Sequence, residues 1–417
     1  MLTSTRLASF KMKLQVFVIA FFLLNSLDSW GQEESRFAEF ELVYSSLPWY
    51  NLKGGFEQGF VYMDNVDITT RLNFGKLLVG EDDHLSLFLY GLGNAGGRAS
   101  SLMGDFQAAS NIEAPKSWRL FEAWLQQNLF DDEVSILVGL YDLNSEFDVL
   151  RPGTVFINSS FGIGAEYAQS GLNGPSIFPI SSLGVRFSST LGDKGKFRLA
   201  ILDGVSGDPE NPRSNKISLS KKDGALIALE TAIYSESKSE RRVHRDYVTR
   251  RRKVGREHDI PTNDKLNVGG WYYTSRFENI ADTTQNHRNW GAYLGVQKYW
   301  FLFSELDKYL SVFMRYGIAH EKVNRFGSAL SGGVVLADRF SNYLGLAISS
   351  GFHGDSFQYE QIDNYQNETV IELTYSWRIK NFLTLQPDIQ YVLNPGFGVD
   401  LDNPLSAAIM VQLSFNN

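Results

Sequence analysis

The sequence predicts an all-β protein, a transmembrane antiparallel β-barrel of about 16 strands with an inward-folded constriction loop. Three observations predict this fold. Segments of alternating apolar and polar residues, each followed by Gly, Asn, Asp or Pro, repeat along the chain. After the first residues no apolar run is long enough for a membrane helix, and aromatic residues gather at strand ends, as at Trp271 to Tyr273. These features are typical of membrane barrels, whose strands alternate between lipid and a polar interior.

The chain begins with a candidate signal peptide. Three basic residues up to Lys13 precede one apolar stretch, Val16 to Leu24, and small or polar residues follow. This is the order of charge, apolar core and cleavage region in an export signal, and the stretch is too short to span a bilayer. We therefore predict a signal peptide over residues 1–31 and a barrel domain over residues 32–417, located in the outer membrane of a Gram-negative bacterium.

The composition excludes several other classes of protein. With 14% aromatic residues the chain is not a disordered tail, and a mean hydropathy of -0.20 is too low for a bundle of membrane helices. The absence of cysteine excludes disulfide bonds, a cysteine nucleophile and thiolate metal sites. A net charge of -8 disfavours nucleic acid as a partner, because binding phosphates requires a basic face.

The last segment shows the alternation most clearly. Its apolar face comprises Leu405, Ala407, Ile409, Val411, Leu413 and Phe415, with mostly smaller or polar residues between them. A soluble β-sandwich also alternates, but its strands are usually shorter, about five or six residues. A count along the chain finds seventeen such segments, whereas bacterial single-chain barrels have even numbers. We expect sixteen, with the incorrect assignment before residue 80.

Two connections are too long for turns. We expect the first, from Leu143 to Ser181, to fold inward and narrow the lumen, with an ordinary extracellular loop as the alternative. The second runs from Ser235 to Lys265 and is rich in arginine. Such a run is usually solvated, and the alternative is attraction to anionic lipopolysaccharide or acidic solutes. A barrel of about 16 strands leaves an aqueous channel, so the width itself indicates transport.

Two stretches resemble a known family, the carbohydrate-selective porins of the OprB family. The run from Leu385 to Gly396 is similar to the family's penultimate strand, and the stretch from Trp124 to Gly162 is similar to its strand pair and inward loop. The resemblance implies a 16-stranded barrel in contact with outer-membrane lipid, with a homotrimer as a candidate assembly, that passes monosaccharides and other small neutral solutes passively. The basic stretch around Arg250 and the two residues after Phe415 depart from the family pattern.

A sugar-selective constriction needs hydrogen-bond donors and acceptors beside an aromatic surface. Arginine provides a fixed fork of donors and carboxylates provide acceptors, so together they replace the water shell of a sugar. On the strand predicted near residues 118–129, Arg119 and Glu122 are three residues apart, so in a regular strand only one of them faces the lumen. Glu122 is preferred because its neighbours are apolar. The predicted pore-lining residues are Glu122, Gln126, Arg151, Asn158, Phe161, Arg186, Arg198, Arg315, Glu372, Arg378, Asp388 and Gln390.

The sequence leaves three alternatives to a carbohydrate-selective porin. The first is a general diffusion porin with anion preference or no strong preference. The second is an outer-membrane barrel hydrolase, although none of the six His lies in a nucleophile motif of the G-x-S-x-G type. The third is a soluble sandwich adhesin. We predict no catalytic residues, no cofactor and no metal site, because the chain has no glycine-rich phosphate loop before a helix and no clustered metal ligands.

Overall fold

The structure is a computed structural model that describes residues 37–75, 84–130, 132–211, 213–214, 217, 219–235, 263–303, 308–338, 342–355, 357, 365–398 and 400–416. The predicted signal peptide lies outside the described residues. Within these ranges no helix has the length and apolar character that crossing a membrane requires.

Sixteen antiparallel strands form one closed barrel in which each strand pairs with its sequence neighbours and β1 pairs with β16. The strands are β1 Ala38–Lys53, β2 Gly59–Asn73, β3 His84–Gly96, β4 Ser117–Leu129, β5 Val134–Tyr141, β6 Ser182–Leu191, β7 Gly195–Asp203, β8 Ala225–Tyr234, β9 Lys265–Glu278, β10 Asn286–Phe303, β11 Lys308–Ala319, β12 Phe326–Asp338, β13 Tyr343–His353, β14 Asn367–Lys380, β15 Leu383–Leu393 and β16 Leu405–Asn416. The predicted number of strands is confirmed. The two segments predicted between residues 57 and 76 are the single strand β2.

The outer and inner faces follow the alternation in the sequence. On β11, Val312, Met314 and Tyr316 are exposed to the outside, whereas Phe313 and Arg315 between them are buried inside. A cationic side chain facing lipid at the bilayer midplane would be unfavourable by about 2 to 4 kcal/mol, which explains why this arginine points inward. Exposed Trp290, Trp300 and Trp377 add an aromatic component to the outer surface.

The two ends of the barrel differ in their connections. Both described chain ends lie at one end, which also has short connections such as residues 192–194 and 381–382. Short turns are typical of the periplasmic side of such barrels. The basic connection leaves β8 at Tyr234 and returns to β9 at Lys265, at this same end. Its residues 236–262, on which the prediction about lipopolysaccharide or acidic solutes falls, lie outside the described residues.

A bulge in β4 changes one sequence-based assignment. The register between β3 and β4 shifts between Tyr90 and Gly91, so one extra residue enters β4. Arg119 and Glu122 are consequently both buried, with 7% and 3% of their surface exposed. The expectation that only one of them could face inward was wrong, because it assumed a regular strand.

Two connections fold into the barrel. The first, over residues 142–181, contains three 3-10 segments, Leu143–Ser145, Arg151–Val155 and Ser159–Phe161, and the short helix α2, Ala165–Ala168. It was predicted to fold inward, and it does. The second, over residues 97–116, contains helix α1, Ser100–Met103, and was not predicted to do so. We call them the long and the short inward loop.

Candidate pore constriction

Carboxylates on the inner wall hold the long inward loop through its backbone. The Glu372 carboxylate on β14 accepts hydrogen bonds from the N–H groups of Ile157 at 2.6 Å and Asn158 at 2.8 Å. Glu230 on β8 accepts one from the N–H of Asp148 at 2.9 Å. Because both wall carboxylates have 0% exposed surface, these charge-assisted bonds form in a low dielectric and fix the path of the loop across the lumen.

An arginine on β11 makes a further connection to the same loop. The Arg315 guanidinium donates to Asp148 Oδ2 at 2.7 Å and to Glu166 Oε1 at 2.6 Å, both loop residues. Burial raises the pKa of both carboxyls, and the Arg315 charge opposes that rise. Arg315 therefore joins the outgoing and returning halves of the loop to the wall.

The short inward loop is held in a similar way. The Glu368 carboxylate on β14 accepts hydrogen bonds from the N–H groups of Phe106 and Gln107, each at 2.9 Å, and of Gly396 at 2.6 Å. Apolar side chains of this loop, including Met103, pack in one cluster with inward residues of β1 such as Trp49. Both loops therefore occupy the lumen and narrow it.

The inner face of β2 to β4 carries an aromatic and charged surface. Phe88 and Trp124 stack with ring centroids 5.0 Å apart, and the Arg71 guanidinium lies 5.8 Å and 5.7 Å from the centres of these two rings. Nearby on the same strands, the Tyr90 hydroxyl donates to Asp67 Oδ1 at 2.5 Å. We call Arg71, Phe88 and Trp124 the aromatic platform. Phe88 and Trp124 each have 2% of their surface exposed, and Arg71, with intermediate exposure, is the most accessible member of the platform.

Most of the predicted pore-lining residues lie where the loops meet the wall. Five are buried in polar contacts between wall and loop or beside them: Glu122, Asn158, Glu372, Asp388 and Gln390. Phe161 is buried against Phe156, with ring centroids 5.0 Å apart. The bonds of these residues indicate that they anchor the loop.

The predicted arginines divide into two groups. Arg186 and Arg198 lie in buried ion pairs with Glu146 and Glu230 respectively, as Arg315 does with its own loop carboxylates. Three predicted residues keep intermediate exposure: Gln126, Arg151 and Arg378. For these three, contact with a solute stays a prediction.

Sequence reasoning missed the aromatic platform and the loop carboxylates. Arg71 lies in the second of the two segments predicted between residues 57 and 76, and the sequence alone does not show which aromatic residues of other strands lie beside it. Trp124 lay within a stretch noted for its family resemblance, but its partner Phe88 is 36 residues away in sequence and meets it only through the pairing of β3 with β4. In the described part of the chain no three His, Asp or Glu side chains are grouped to hold a metal ion.

Comparisons with known proteins agree with this geometry. The family described as "Carbohydrate-selective porin, OprB family" matches residues 57–415. Porin B of Pseudomonas aeruginosa is 22% identical over 443 residues, covering 93% of this chain and 91% of that protein. The high-pH structure of OprB from Pseudomonas putida has a TM-score of 0.75 at 18% identity, covering 91% of this chain and 94% of that one. The low-pH structure of the same protein gives 0.52 at 16% identity, covering 91% and 92%.

Proposed function

This chain belongs to the carbohydrate-selective porin family, OprB, and we propose that it passes monosaccharides and other small neutral solutes by passive diffusion through a lumen narrowed by its two inward loops. The protein is an outer-membrane sugar porin of a Gram-negative bacterium. One observation carries the finer proposal: wall carboxylates fix both loops inside a closed 16-stranded barrel. Porins are channels, and we propose no enzymatic activity for this one.

The aromatic platform supports selection of a sugar over an ion. A sugar presents C–H groups on its faces and hydroxyls around its edge. The stacked rings of Phe88 and Trp124 suit the faces, and Arg71 beside them suits the edge. The predicted residues Gln126, Arg151 and Arg378 add polar groups to the proposed path.

Binding along such a path must be weak. A pore conducts only if the solute also leaves, so a millimolar affinity, about 4 kcal/mol, suits the proposed function. A platform of three side chains, of which Arg71 alone keeps intermediate exposure, is consistent with that strength. Tight burial of the sugar would trap it and stop transport.

Single-channel recording in planar bilayers tests the proposal. Addition of glucose to the purified protein should reduce the ion current in a saturable way at millimolar concentration, and Arg151→Ala should weaken that block. A current that no sugar alters but an anion does would favour the general diffusion alternative. Block by glucose and block by an anion can both be measured whether the protein is a monomer or an oligomer.

We also propose that copies of the chain associate, with a homotrimer as the candidate assembly. The outward face of β1 and β2 carries a polar cluster: the Tyr44 and Tyr62 hydroxyls are 2.7 Å apart, and Tyr44 is also hydrogen-bonded to Asp64. Ser46 lies opposite Asp64 in the strand register. Polar groups directed at lipid are unfavourable, so a protein partner would stabilise this face. Cross-linking in native membranes should give a trimer that Asp64→Leu weakens, because the substitution removes a polar group that favours a protein partner over lipid. A monomer throughout would contradict the proposal.

A further inference from the structure

The inner wall of β6 to β9 has an excess of positive charge near the end of the barrel that carries the chain ends. Four cationic side chains point inward there: Arg186, Lys196, Arg198 and Lys265. Only two described carboxylates pair with them, and these are Glu146 and Glu230. Arg186, Arg198 and Lys265 have 2%, 2% and 7% of their surface exposed. We call these four cations the basic wall cluster.

Three of the four cations share the two carboxylates, and the fourth, Lys196, forms no ion pair within the described part of the chain. Arg186 Nε is 2.7 Å from Glu146 Oε2, and Arg198 Nη1 is 2.9 Å from Glu230 Oε1. Lys265 Nζ shares Glu230 at 3.6 Å. Among the described residues, no carboxylate forms an ion pair with Lys196, which retains intermediate exposure and is the most accessible cation of the cluster.

The neighbouring carboxylates lie beside Glu146 and Arg315, away from Lys196 and Lys265. Asp148 and Glu166 pair with Arg315, and Glu122 lies beside Asp142 and Glu146. The excess of positive charge is therefore local to Lys196, Arg198 and Lys265, the last two of which share Glu230.

Glu146 attracts Lys196 without forming an ion pair with it, and the same carboxylate lies near Arg186 and Arg198. Cations that share a counter-charge in a low dielectric are incompletely compensated, so a mobile anion would stabilise the cluster.

We propose that the basic wall cluster binds the carboxylate of a small sugar acid, such as a hexuronate, on its way through the pore. This inference rests on the proposed function, because a sugar acid would enter by the same lumen. Lys196 would meet the carboxylate directly. The Tyr234 hydroxyl, which is hydrogen-bonded to Arg198, lies within the cluster and suits a sugar hydroxyl. The site would extend the range of solutes from neutral sugars to their singly charged acids.

Block of single-channel current by three probes tests the inference: glucuronate, glucose and inorganic phosphate, each titrated on the full-length protein. Glucuronate should block wild type at lower concentration than either other probe. Lys196→Gln should weaken glucuronate block about tenfold, as expected for the loss of one charge-assisted hydrogen bond, and leave glucose block unchanged. Lys196→Arg should retain the block. Lys308→Gln removes one exposed positive charge at the same end of the barrel but outside the lumen, and should have no effect.

Two results would overturn the inference. The first is a glucuronate block that Lys196→Gln leaves unchanged, and the second is a phosphate block as strong as that by glucuronate, which would show an anion site without sugar recognition. Absence of glucose block in wild type would instead contradict the proposed function. A heat-modifiable band on cold gel electrophoresis for every variant establishes that the barrel has formed.

Discussion

The Glu372 carboxylate on β14 binds the backbone N–H of Asn158 at 2.8 Å, and this bond joins the barrel wall to the middle of the long inward loop. The same carboxylate binds the preceding N–H as well. A single side chain therefore holds two consecutive amides in the lumen. The constriction depends on such wall-to-backbone bonds, and each can be removed without changing the loop sequence.

Glu372→Ala should release the middle of the long inward loop. Each of the two buried N–H groups would lose its acceptor, at about 1 to 3 kcal/mol per group. We expect a larger and noisier single-channel conductance, with weaker sugar block. Glu57→Ala removes an exposed carboxylate from the turn between β1 and β2 and serves as the control. Conductance equal to that of wild type would show that the loop is held by its other contacts.

Arg315→Met should destabilise the folded barrel. It leaves the Asp148 and Glu166 carboxylates buried beside each other without a cation, a change that typically costs about 3 to 5 kcal/mol. The measurement is the temperature at which the compact gel band is lost in detergent. Adding Asp148→Asn and Glu166→Gln to the same variant should restore much of that temperature. A single variant as resistant as wild type would contradict the role assigned to this arginine.

Asp105, on the short inward loop, should make that loop sensitive to pH. Burial raises the pKa of this carboxyl well above its ordinary value of 3.8, and the charges of Glu368 and Glu113 raise it further. The Asp105 carboxyl therefore keeps its proton to a higher pH in the folded loop than in the released loop. The folded state of the short inward loop is consequently most stable below pH 3.8, and this stability is lost as the pH rises through the raised pKa.

Protease cleavage of the short inward loop, followed across pH, measures this effect with a protease active over the range. Cleavage should accelerate as the pH rises, and Asp105→Asn should remove most of the dependence because it cannot ionise. Glu113→Gln, which removes a neighbouring charge that raises the Asp105 pKa, should reduce the dependence only in part. Cleavage that is equally fast at acid and alkaline pH in wild type would argue against the assignment.

Much of the barrel was predictable because its forces are local. The alternation of apolar and polar residues on β11 and β16 follows from lipid on one side of the strand and a polar lumen on the other. It can be read from the sequence of each strand without knowing its neighbours. The bulge at Glu122 was not predictable, since it depends on how β3 pairs with β4. The short inward loop was missed for a related reason: Glu368 and Phe106 are 262 residues apart, and nothing local marks their bond.

The aromatic platform gives the sharpest test of solute selection. Trp124→Ala removes one of two stacked rings and should weaken glucose block about fivefold, equivalent to about 1 kcal/mol. The indole N–H of Trp124 also donates to Glu122 Oε1 at 3.2 Å, so Trp124→Phe separates the two roles, because it keeps a ring and removes the donor. If stacking selects the sugar, Trp124→Phe should retain most of the block. Trp118→Ala, on the outward face of the same strand with 52% of its surface exposed, should leave the block unchanged. Equal effects of the inward and outward alanine variants would show that the platform does not contact the sugar.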